Sequence, residues 1–379
     1  MEKQPDLLAL RDQIDEIDRQ IVACYEKRME ICSQIADYKI ATGKRVFDRD
    51  REAVKIKAVK ELVHNDFNSR GIEELYEQIM SLSRKLQYQK LEQSGQRVKL
   101  PFIGLDSLTE GKKVRVVFQG AEGSFSQAAM EQFFPERISS FCVETFRDAM
   151  SAIDEGSADF GVLPIENSTA GIVSEIYDLL AEFENYIVGE QIIPVEHCLL
   201  GLEGTDLSKV QRVYAHPQAL MQSSEFLGSY PWQQIGLKNN AFAAAKIKQD
   251  NDPSQVAVAS AYAGQYYGLQ ILERGINQEK DNSTRFIVVT NQKVYQKDAK
   301  KISVYFEVPH KSGSLYHLLS HFIFNDLNMT RIESRPIPER NWEYRFFLDF
   351  EGNLADSGVK NALRGLREES RNLRILGNY

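Results

Sequence analysis

The chain has 379 residues and a formal net charge of −8 at pH 7, and 42% of its residues are hydrophobic. This length indicates two or three domains, and the interspersed acidic and basic residues argue against nucleic acid or an anionic membrane surface as a partner. No stretch approaches the roughly 20 consecutive apolar residues of a membrane-spanning helix. The charged start of the chain does not resemble a secretory signal peptide.

Four cysteines are present, and no two of them form a Cys-x-x-Cys pair: Cys24, Cys32, Cys142 and Cys198. This spacing is atypical of zinc sites and of disulfide-rich secreted domains, so we expect reduced thiols in a cytoplasmic protein. The sequence shows no cluster of metal ligands, and we expect neither a metal nor an organic cofactor.

A long helix is predicted over 6–40, because this stretch has no Pro or Gly and its apolar residues repeat every seven residues. The repeat predicts a seam that packs against other helices, and it consists of Leu7, Ile14, Ile21 and Ile35 on one heptad position and Leu10, Ile17, Cys24, Ile31 and Tyr38 on the other. Arg28 falls on the first position, where a buried cation is costly unless an anion meets it.

The helix geometry relates Arg28 to two other cations. Lys39 follows at about 20° around the axis and about 16 Å along it, so both side chains could hold one small anion. Arg11 lies about 25 Å away along the axis and cannot reach the same anion from the same helix. If Arg11 belongs to that site, a second subunit supplies it.

Two further helices are predicted over 48–63 and 71–92, and Ser83 and Gln87 share one face of the last. Eight polar residues of the helical region match, in type and order, the site of the all-helical chorismate mutases: Arg11, Arg28, Lys39, Asp48, Arg51, Glu52, Ser83 and Gln87. The resemblance implies an intertwined dimer that clamps the two carboxylates of chorismate.

After a polar linker over 93–113, strands alternate with helices up to residue 291. The predicted strands cover 114–119, 160–164, one or two stretches within 187–202, 210–215, 256–260 and 286–291. So many strand–helix units exceed one small sheet, which predicts an α/β domain of two lobes.

Four polar motifs accompany these strands: 120–126, 165–168, 215–218 with Gln222, and 282–286. Taken singly, each has an ordinary alternative: a turn, a helix cap, a structural His beside Pro, and a surface loop. Together they resemble the prephenate dehydratases, whose fold is similar to that of two-lobed periplasmic binding proteins. The resemblance implies Thr284 as the acid and a lining of Ser124, Glu166, Asn167, Ser168, Gln222, Arg285 and Phe286. Ala215 departs from the Ser that relatives often carry, and we assign it no role.

A second linker over 292–300 precedes a tail of six elements. Strands are predicted over 302–308, 329–336 and 373–379, and helices over 314–324 and 356–369. A further half-buried strand is predicted where Trp342, Tyr344, Phe346, Leu348 and Phe350 alternate. The order β-α-β-β-α-β is that of a ferredoxin-like α+β unit.

Two motifs of the tail resemble the phenylalanine-binding motifs of the ACT regulatory domain: Gly313, Ser314 and Leu315, and Glu333, Ser334 and Arg335. Ser314 and Tyr316 depart from the usual Gly-Ala-Leu-Val. The alternative is a plain dimerisation module without an effector.

The order of parts resembles the bifunctional chorismate mutase–prephenate dehydratases. It implies a multidomain chain: an all-α mutase over 1–92, a two-lobed α/β dehydratase over 114–291 and an ACT domain over 301–379. Chorismate and prephenate are the expected substrates, L-phenylalanine the feedback inhibitor, and a homodimer or larger homo-oligomer the expected assembly. The alternatives are a non-catalytic two-lobed receptor on a coiled-coil dimeriser and an enzyme in which one of the two sites has decayed.

Overall fold

The computed structural model describes residues 6–95, 100–109, 111, 113–135, 138–308, 310 and 313–379. Its described residues fall into two compact units. The helical unit comprises Met1–Leu100, Val308–Asn328 and Leu354–Arg371, and the sheet unit comprises Pro101–Glu307, Met329–Asn353 and Asn372–Tyr379. The tail predicted over 301–379 therefore contributes its helices to the first unit and its strands to the second.

The N-terminal region consists of the three predicted helices: α1 (Leu7–Thr42), α2 (Arg49–Lys60) and α3 (Asp66–Gln93). Asp6 caps α1 by accepting a hydrogen bond from the Leu8 amide, and α1 ends at Gly43, whose φ of 69° suits glycine. Asp48 caps α2 in the same way, because its carboxylate accepts from the Arg51 amide at 3.0 Å.

The heptad seam of α1 is largely exposed within one chain, so its packing against other helices stays a prediction. Leu7, Ile14 and Ile21 are 60%, 57% and 57% exposed. The stripe of α1 that packs against α3 instead contains the buried residues Cys32 and Ala36. Ile14 and Cys32 are 18 residues apart, so at 3.6 residues per turn they point in the same direction and lie about 27 Å apart along the axis. The exposed and the packed residues therefore lie on one face, toward its two ends.

The middle of the chain alternates strands and helices as predicted. Its elements are β1 (Ile103–Leu105), β2 (Val114–Gln119), α4 (Phe125–Phe133), β3 (Ile138–Val143), α5 (Phe146–Asp154), β4 (Phe160–Asn167), β5 (Gly171–Ile172), α6 (Ser174–Glu182), β6 (Tyr186–Pro194), β7 (Cys198–Gly201), β8 (Arg212–Ala215), α7 (Pro217–Gln222), α8 (Ser224–Leu227), β9 (Gln233–Gly236), α9 (Asn240–Asp250), β10 (Gln255–Ala259), α10 (Ala261–Tyr267), β11 (Gln270–Glu273), β12 (Ser283–Thr290) and β13 (Val294–Gln296). A short 3₁₀ helix, Leu207–Lys209, precedes β8.

The tail follows the predicted order β-α-β-β-α-β. Its elements are β14 (Lys301–Glu307), α11 (Ser314–Ile323), β15 (Met329–Pro336), β16 (Tyr344–Glu351), α12 (Ser357–Glu369) and β17 (Arg371–Asn378). The predicted half-buried alternation in β16 is wrong, because Phe347, Leu348 and Phe350 are all buried. Trp342 lies before the strand, with a φ of 64° and an exposed side chain.

The strands of the sheet unit form two large sheets. One has the order β11-β7-β10-β8-β9, and the other has the order β15-β16-β14-β17-β6-β12-β4-β2-β3, with β5 paired to β4. The two sheets agree with the predicted two lobes. Apolar side chains of β4, β12 and α6 build one core, and those of β7, β8 and β10 build others.

The two stretches predicted as linkers each contain a strand. Ile103–Leu105 of the first pairs in parallel with Val294–Gln296 of the second. The prediction of plain linkers is corrected here, because three-residue strands are too short to leave a readable alternation of apolar and polar residues. Residues 96–99, 110 and 112 of the first linker lie outside the described residues.

Candidate active sites

Arg28 and Ser83 meet inside the helical unit. Arg28 Nη1 donates to Ser83 Oγ at 2.6 Å and lies 3.7 Å from Cys32 Sγ. Ser83 is buried, and its hydroxyl donates to the Ile79 carbonyl at 2.7 Å. The half-buried guanidinium is therefore directed toward α3 of the same chain, where its remaining N–H groups can meet an anion.

Lys39 lies where α1 approaches the segment before α2. Its ammonium donates to the Val46 carbonyl at 2.6 Å. Burial lowers the pKa of Lys39, while the nearby carboxylates of Asp48 and Glu52 act in the opposite direction. Asp48 is also the cap of α2, whereas the Arg51 side chain is exposed. The structure thus brings Arg28 together with Ser83, and it brings Lys39 near the carboxylates of Asp48 and Glu52.

The two remaining residues predicted for this site differ in exposure. Gln87 is buried, and among the described residues its Oε1 has no hydrogen-bond partner. A buried amide without a partner is costly unless a ligand or water meets it. Arg11 lies on the exposed first half of α1. It is separated from Arg28 by 17 positions, which is about 25 Å of helix.

Arg84 is a buried cation that the sequence prediction missed. Its Nη1 pairs with Glu52, and its Nη2 lies 2.7 Å from Glu369 Oε1. It shares a stripe of α3 with the buried side chains of Met80 and Tyr88. A cation at helical spacing among apolar residues is the signal that singled out Arg28, and it could have found Arg84 as well.

A cavity of about 400 Å³ opens within the sheet unit. Both large sheets and their adjoining loops contribute to its lining, which includes Gly120, Gly123, Ser124, Asn167, His197, His216, Gln222, Lys238, Asn282 and Thr284. Ser124 caps α4, and its Oγ accepts from the Gln127 amide at 3.3 Å. Gly123 has a φ of 79°, and an added Cβ would approach Tyr267 to 2.9 Å. The loop before α4 therefore requires glycine at this position.

Thr284 and Asn167 face this cavity as a hydrogen-bonded pair. Asn167 Nδ2 donates to Thr284 Oγ1 at 2.9 Å and to Asn282 Oδ1 at 2.7 Å. Asn167 Oδ1 is held in turn by the Ala170 amide at 2.8 Å. Because Thr284 Oγ1 accepts from Asn167, its own proton is free to be donated into the cavity.

Gln222 lies across the cavity and bonds to a histidine that sequence reasoning missed. His197 Nε2 is 2.9 Å from Gln222 Oε1. Burial lowers the pKa of His197, with the hydrogen bond to Gln222 acting in the opposite direction. A neutral imidazole that donates from Nε2 fixes the orientation of the Gln222 amide. No sequence signal distinguishes His197 from an ordinary buried histidine.

Four residues predicted to line the cleft do not line this cavity, and their placement is corrected. In the pairing of β12 with β4, Thr284 lies opposite Asn167 and Arg285 opposite Glu166. Neighbouring residues of a strand point to opposite faces, so the second pair is directed away from the first. Arg285 lies 3.4 Å from Glu166 and 3.2 Å from Asp349.

The other two corrected residues have structural roles. Phe286 is buried in the core, where it packs with the apolar residues of β2 and β4. Ser168 ties two loops together, because its Oγ accepts from the Ser283 amide at 2.9 Å.

Comparison with known proteins identifies the family of the chain. Residues 10–88 match the family described as chorismate mutase type II, and residues 116–294 match the family described as prephenate dehydratase. Over 388 aligned residues the chain is 32% identical to the bifunctional chorismate mutase/prephenate dehydratase of Escherichia coli (strain K12), with 100% of this chain and 97% of that protein covered. The chain belongs to this bifunctional family.

Solved structures agree for the dehydratase part. The prephenate dehydratase of Arthrobacter aurescens, in complex with L-Phe, is 29% identical with a TM-score of 0.64 and covers 70% of this chain and 89% of its own. The quorum quenching acylase GqqA is 31% identical with a TM-score of 0.63 and covers 70% of this chain and 97% of its own. The chain is therefore a chorismate mutase and a prephenate dehydratase of phenylalanine biosynthesis.

This assignment decides against one of the alternatives that the sequence left open. A non-catalytic receptor is excluded, because the chain has both enzyme domains.

Within the described part of the chain, no helix is long and apolar enough to cross a membrane.

The residues predicted to bind an effector lie on two elements of the tail. Gly313 is the N-cap of α11 with a φ of 79°, and Ser314 and Leu315 begin the helix. Glu333, Ser334 and Arg335 lie on β15. The Arg335 guanidinium forms a bidentate pair with Asp178 of α6, with distances of 3.1 and 2.6 Å.

Proposed function

We propose that Arg28, with Arg11 of a second copy of the chain, binds the two carboxylates of chorismate, and that Lys39 and Gln87 donate to its ether oxygen. Ser83 and the carboxylates of Asp48 and Glu52 complete the pocket, and Arg51 assists. The hydrogen bond between Arg28 and Ser83 carries this proposal, because it holds a cation against a buried helix face. Gln87 supports it, because this amide is buried on α3 one turn after Ser83.

The rearrangement of chorismate has no covalent intermediate, so catalysis consists of positioning and charge stabilisation. Arg28 would hold a carboxylate. Lys39 and the Gln87 amide would donate to the ether oxygen as its C–O bond breaks. The partial negative charge that develops on that oxygen is stabilised most by donors already fixed in place.

Arg11 acts in this proposal from a second copy of the chain. The exposed apolar stripe that includes Leu7, Ile14 and Ile21 supports a partner helix there, since large exposed apolar patches mark interaction surfaces. The proposed assembly is a homodimer in which α1 of each copy crosses to the other.

Mixing two inactive variants tests the shared site. Arg11→Ala and Arg28→Ala should each be inactive as mutases. Unfolding and refolding them together should restore about one quarter of the wild-type activity, because half of the dimers would be mixed and each would hold one intact site of two. No recovery, with mixed dimers demonstrated by differently tagged chains, would contradict the shared site.

For the dehydratase, we propose that Thr284 protonates the departing ring hydroxyl of prephenate while CO₂ leaves. Rearomatisation of the ring supplies most of the driving force, so a positioned weak acid suffices. Asn167 holds the Thr284 hydroxyl, and Ser124 with the amides of its loop would bind a carboxylate at the start of α4. Gln222 would bind from the other side of the cavity.

We also propose L-phenylalanine as a feedback inhibitor bound by the tail through 313–315 and 333–335. The L-Phe complex of the Arthrobacter aurescens dehydratase supports an effector of this kind. Calorimetry of the full chain with L-phenylalanine tests it. Gly313→Ala should weaken binding, because a φ of 79° disfavours a residue with a side chain. Binding that is equally tight in this variant would refute the proposed contact at Gly313.

A cytoplasmic location remains part of the proposal, and the four free cysteines agree with a reducing compartment.

A further inference from the structure

Arg84 joins the mutase site to a helix of the tail within the helical unit. Its side chain is only 10% exposed and forms ion pairs with Glu52 of α2 and with Glu369 at the end of α12. The guanidinium also lies 5.0 Å from the ring centroid of Phe47. The rigid fork of an arginine suits such a double contact, which a lysine ammonium cannot reproduce.

Removing this cation would change the position of Glu52. Two carboxylates would then converge on one partly buried place without a positive charge between them. Like charges repel each other more strongly where water is partly excluded. Glu52 would therefore turn away from Glu369, and this movement would disturb the pocket around Lys39.

We propose that Arg84 is a positioning residue of the mutase reaction: it holds Glu52 as an oriented carboxylate, and Glu369 of the tail helix holds Arg84. This inference rests on the proposed role of Glu52 in binding chorismate. Arg84 also offsets the negative charge of Glu52, which would otherwise repel a dianionic substrate. The mutase pocket thereby depends on a side chain of the tail.

The surroundings of the bridge contain further charged and titratable groups. Two of them are the imidazoles of His317 and His321, which reach the bridge through Glu369, with His321 Nε2 lying 3.3 Å from Glu369 Oε2. The other neighbours are Lys39 on α1, Glu77 and Tyr88 on α3, and Arg364 and Glu368 on α12. The kinetics of all variants are therefore compared with the wild type at one fixed pH.

Steady-state kinetics of chorismate consumption by the full chain tests the inference. Arg84→Met should lower kcat/KM by about tenfold or more, because it breaks a buried ion pair. Arg84→Lys should recover part of the activity. Arg70→Met, an exposed arginine of the same helix, is the matched control and should resemble the wild type.

Repeating the Arg84→Met substitution in a Glu52→Gln variant shows whether Arg84 acts through Glu52. If it does, Arg84→Met should have little further effect in a chain that already carries Glu52→Gln. Equal losses in both backgrounds would overturn the inference and leave the role of Glu52 intact. A Glu52→Gln variant with wild-type mutase kinetics would instead refute the proposed role of Glu52.

Two further variants, Arg84→Lys and Glu369→Gln, test the remaining parts of the inference. If Arg84→Met fails to fold, shown by lost helical circular dichroism and lost dehydratase activity, Arg84→Lys decides: wild-type mutase kinetics there would overturn the inference. Glu369→Gln should lower mutase kcat/KM with dehydratase kcat unchanged, and no effect on the mutase would overturn the link to the tail.

Discussion

Replacing Thr284 by valine removes the proposed proton donor and almost nothing else. Valine has nearly the shape of threonine, and position 284 lies at the start of β12, where a β-branched residue is favoured. The substitution deletes one hydroxyl, which accepts from Asn167 Nδ2 at 2.9 Å. Asn167 retains its bond to Asn282 Oδ1 at 2.7 Å, so its amide remains oriented.

The expected loss of stability is small, and the expected loss of kcat is large. A neutral hydrogen bond contributes about 1 kcal/mol to stability. In a unit of this size that loss lowers Tm by about 2 to 4 °C. Loss of a positioned general acid lowers kcat by about 100- to 10,000-fold. A loss of dehydratase activity far larger than the change in stability therefore indicates a chemical role.

Thr290→Val on the same strand is the matched control. Thr290 Oγ1 donates to the Asp159 carbonyl at 2.9 Å, and Thr290 does not line the cavity. Both variants lose one hydroxyl of β12, but only Thr284→Val should lose dehydratase kcat, measured as phenylpyruvate formed from prephenate. Mutase activity should be unchanged in both. Near-wild-type turnover by Thr284→Val, or an equal loss in Thr290→Val, would refute Thr284 as the acid.

Three other predictions concern the helical site and the cavity. Arg28→Met should lower mutase activity by about 100-fold or more with dehydratase activity retained; equal losses of both activities would show that the two sites are not independent. Burial lowers the pKa of Lys39 below 10.5, so mutase kcat/KM should fall on an alkaline limb below that pH; Lys39→Arg should move this limb to higher pH, and an unmoved limb would exclude Lys39 as its origin. Burial also lowers the pKa of His197 below 6.5. As the pH falls through 6.5, the unfolded chain therefore gains a proton that the folded chain does not, and the free energy of unfolding decreases. Thermal unfolding at about pH 7 and pH 5 should show a smaller decrease in His197→Gln, and an equal decrease would assign the loss to other groups.

Local patterns predicted the elements well, because each element leaves a signal within its own stretch of sequence. The helix predicted over 48–63 is observed as Arg49–Lys60, with Asp48 as its cap. The strand predicted over 114–119 is observed as Val114–Gln119. The close contact of Asn167 and Thr284, 117 positions apart, followed from the resemblance and from neither motif by itself.

The direction of side chains was harder to predict, because adjacent residues in a motif need not share a face. Thr284 and Arg285 are neighbours in sequence, yet their strand directs them to opposite sides. Because the motif was interpreted as one unit, Thr284 and Arg285 were both predicted to line the cleft. Conversely, residues far apart in sequence can lie together: Arg84 and its partner Glu369 are 285 positions apart, and no local pattern connects them.

The two halves of α1 explain how one helix could serve a shared site. The second half carries Arg28 and Lys39 and meets α3 and the segment before α2, whereas Leu7, Ile14 and Ile21 of the first half lie exposed. An exposed apolar stripe on the half that carries Arg11 is costly in water unless another surface covers it. Since Arg11 is about 25 Å from Arg28 along the same axis, the covering helix of the proposed second copy would both remove this cost and supply Arg11 to the pocket.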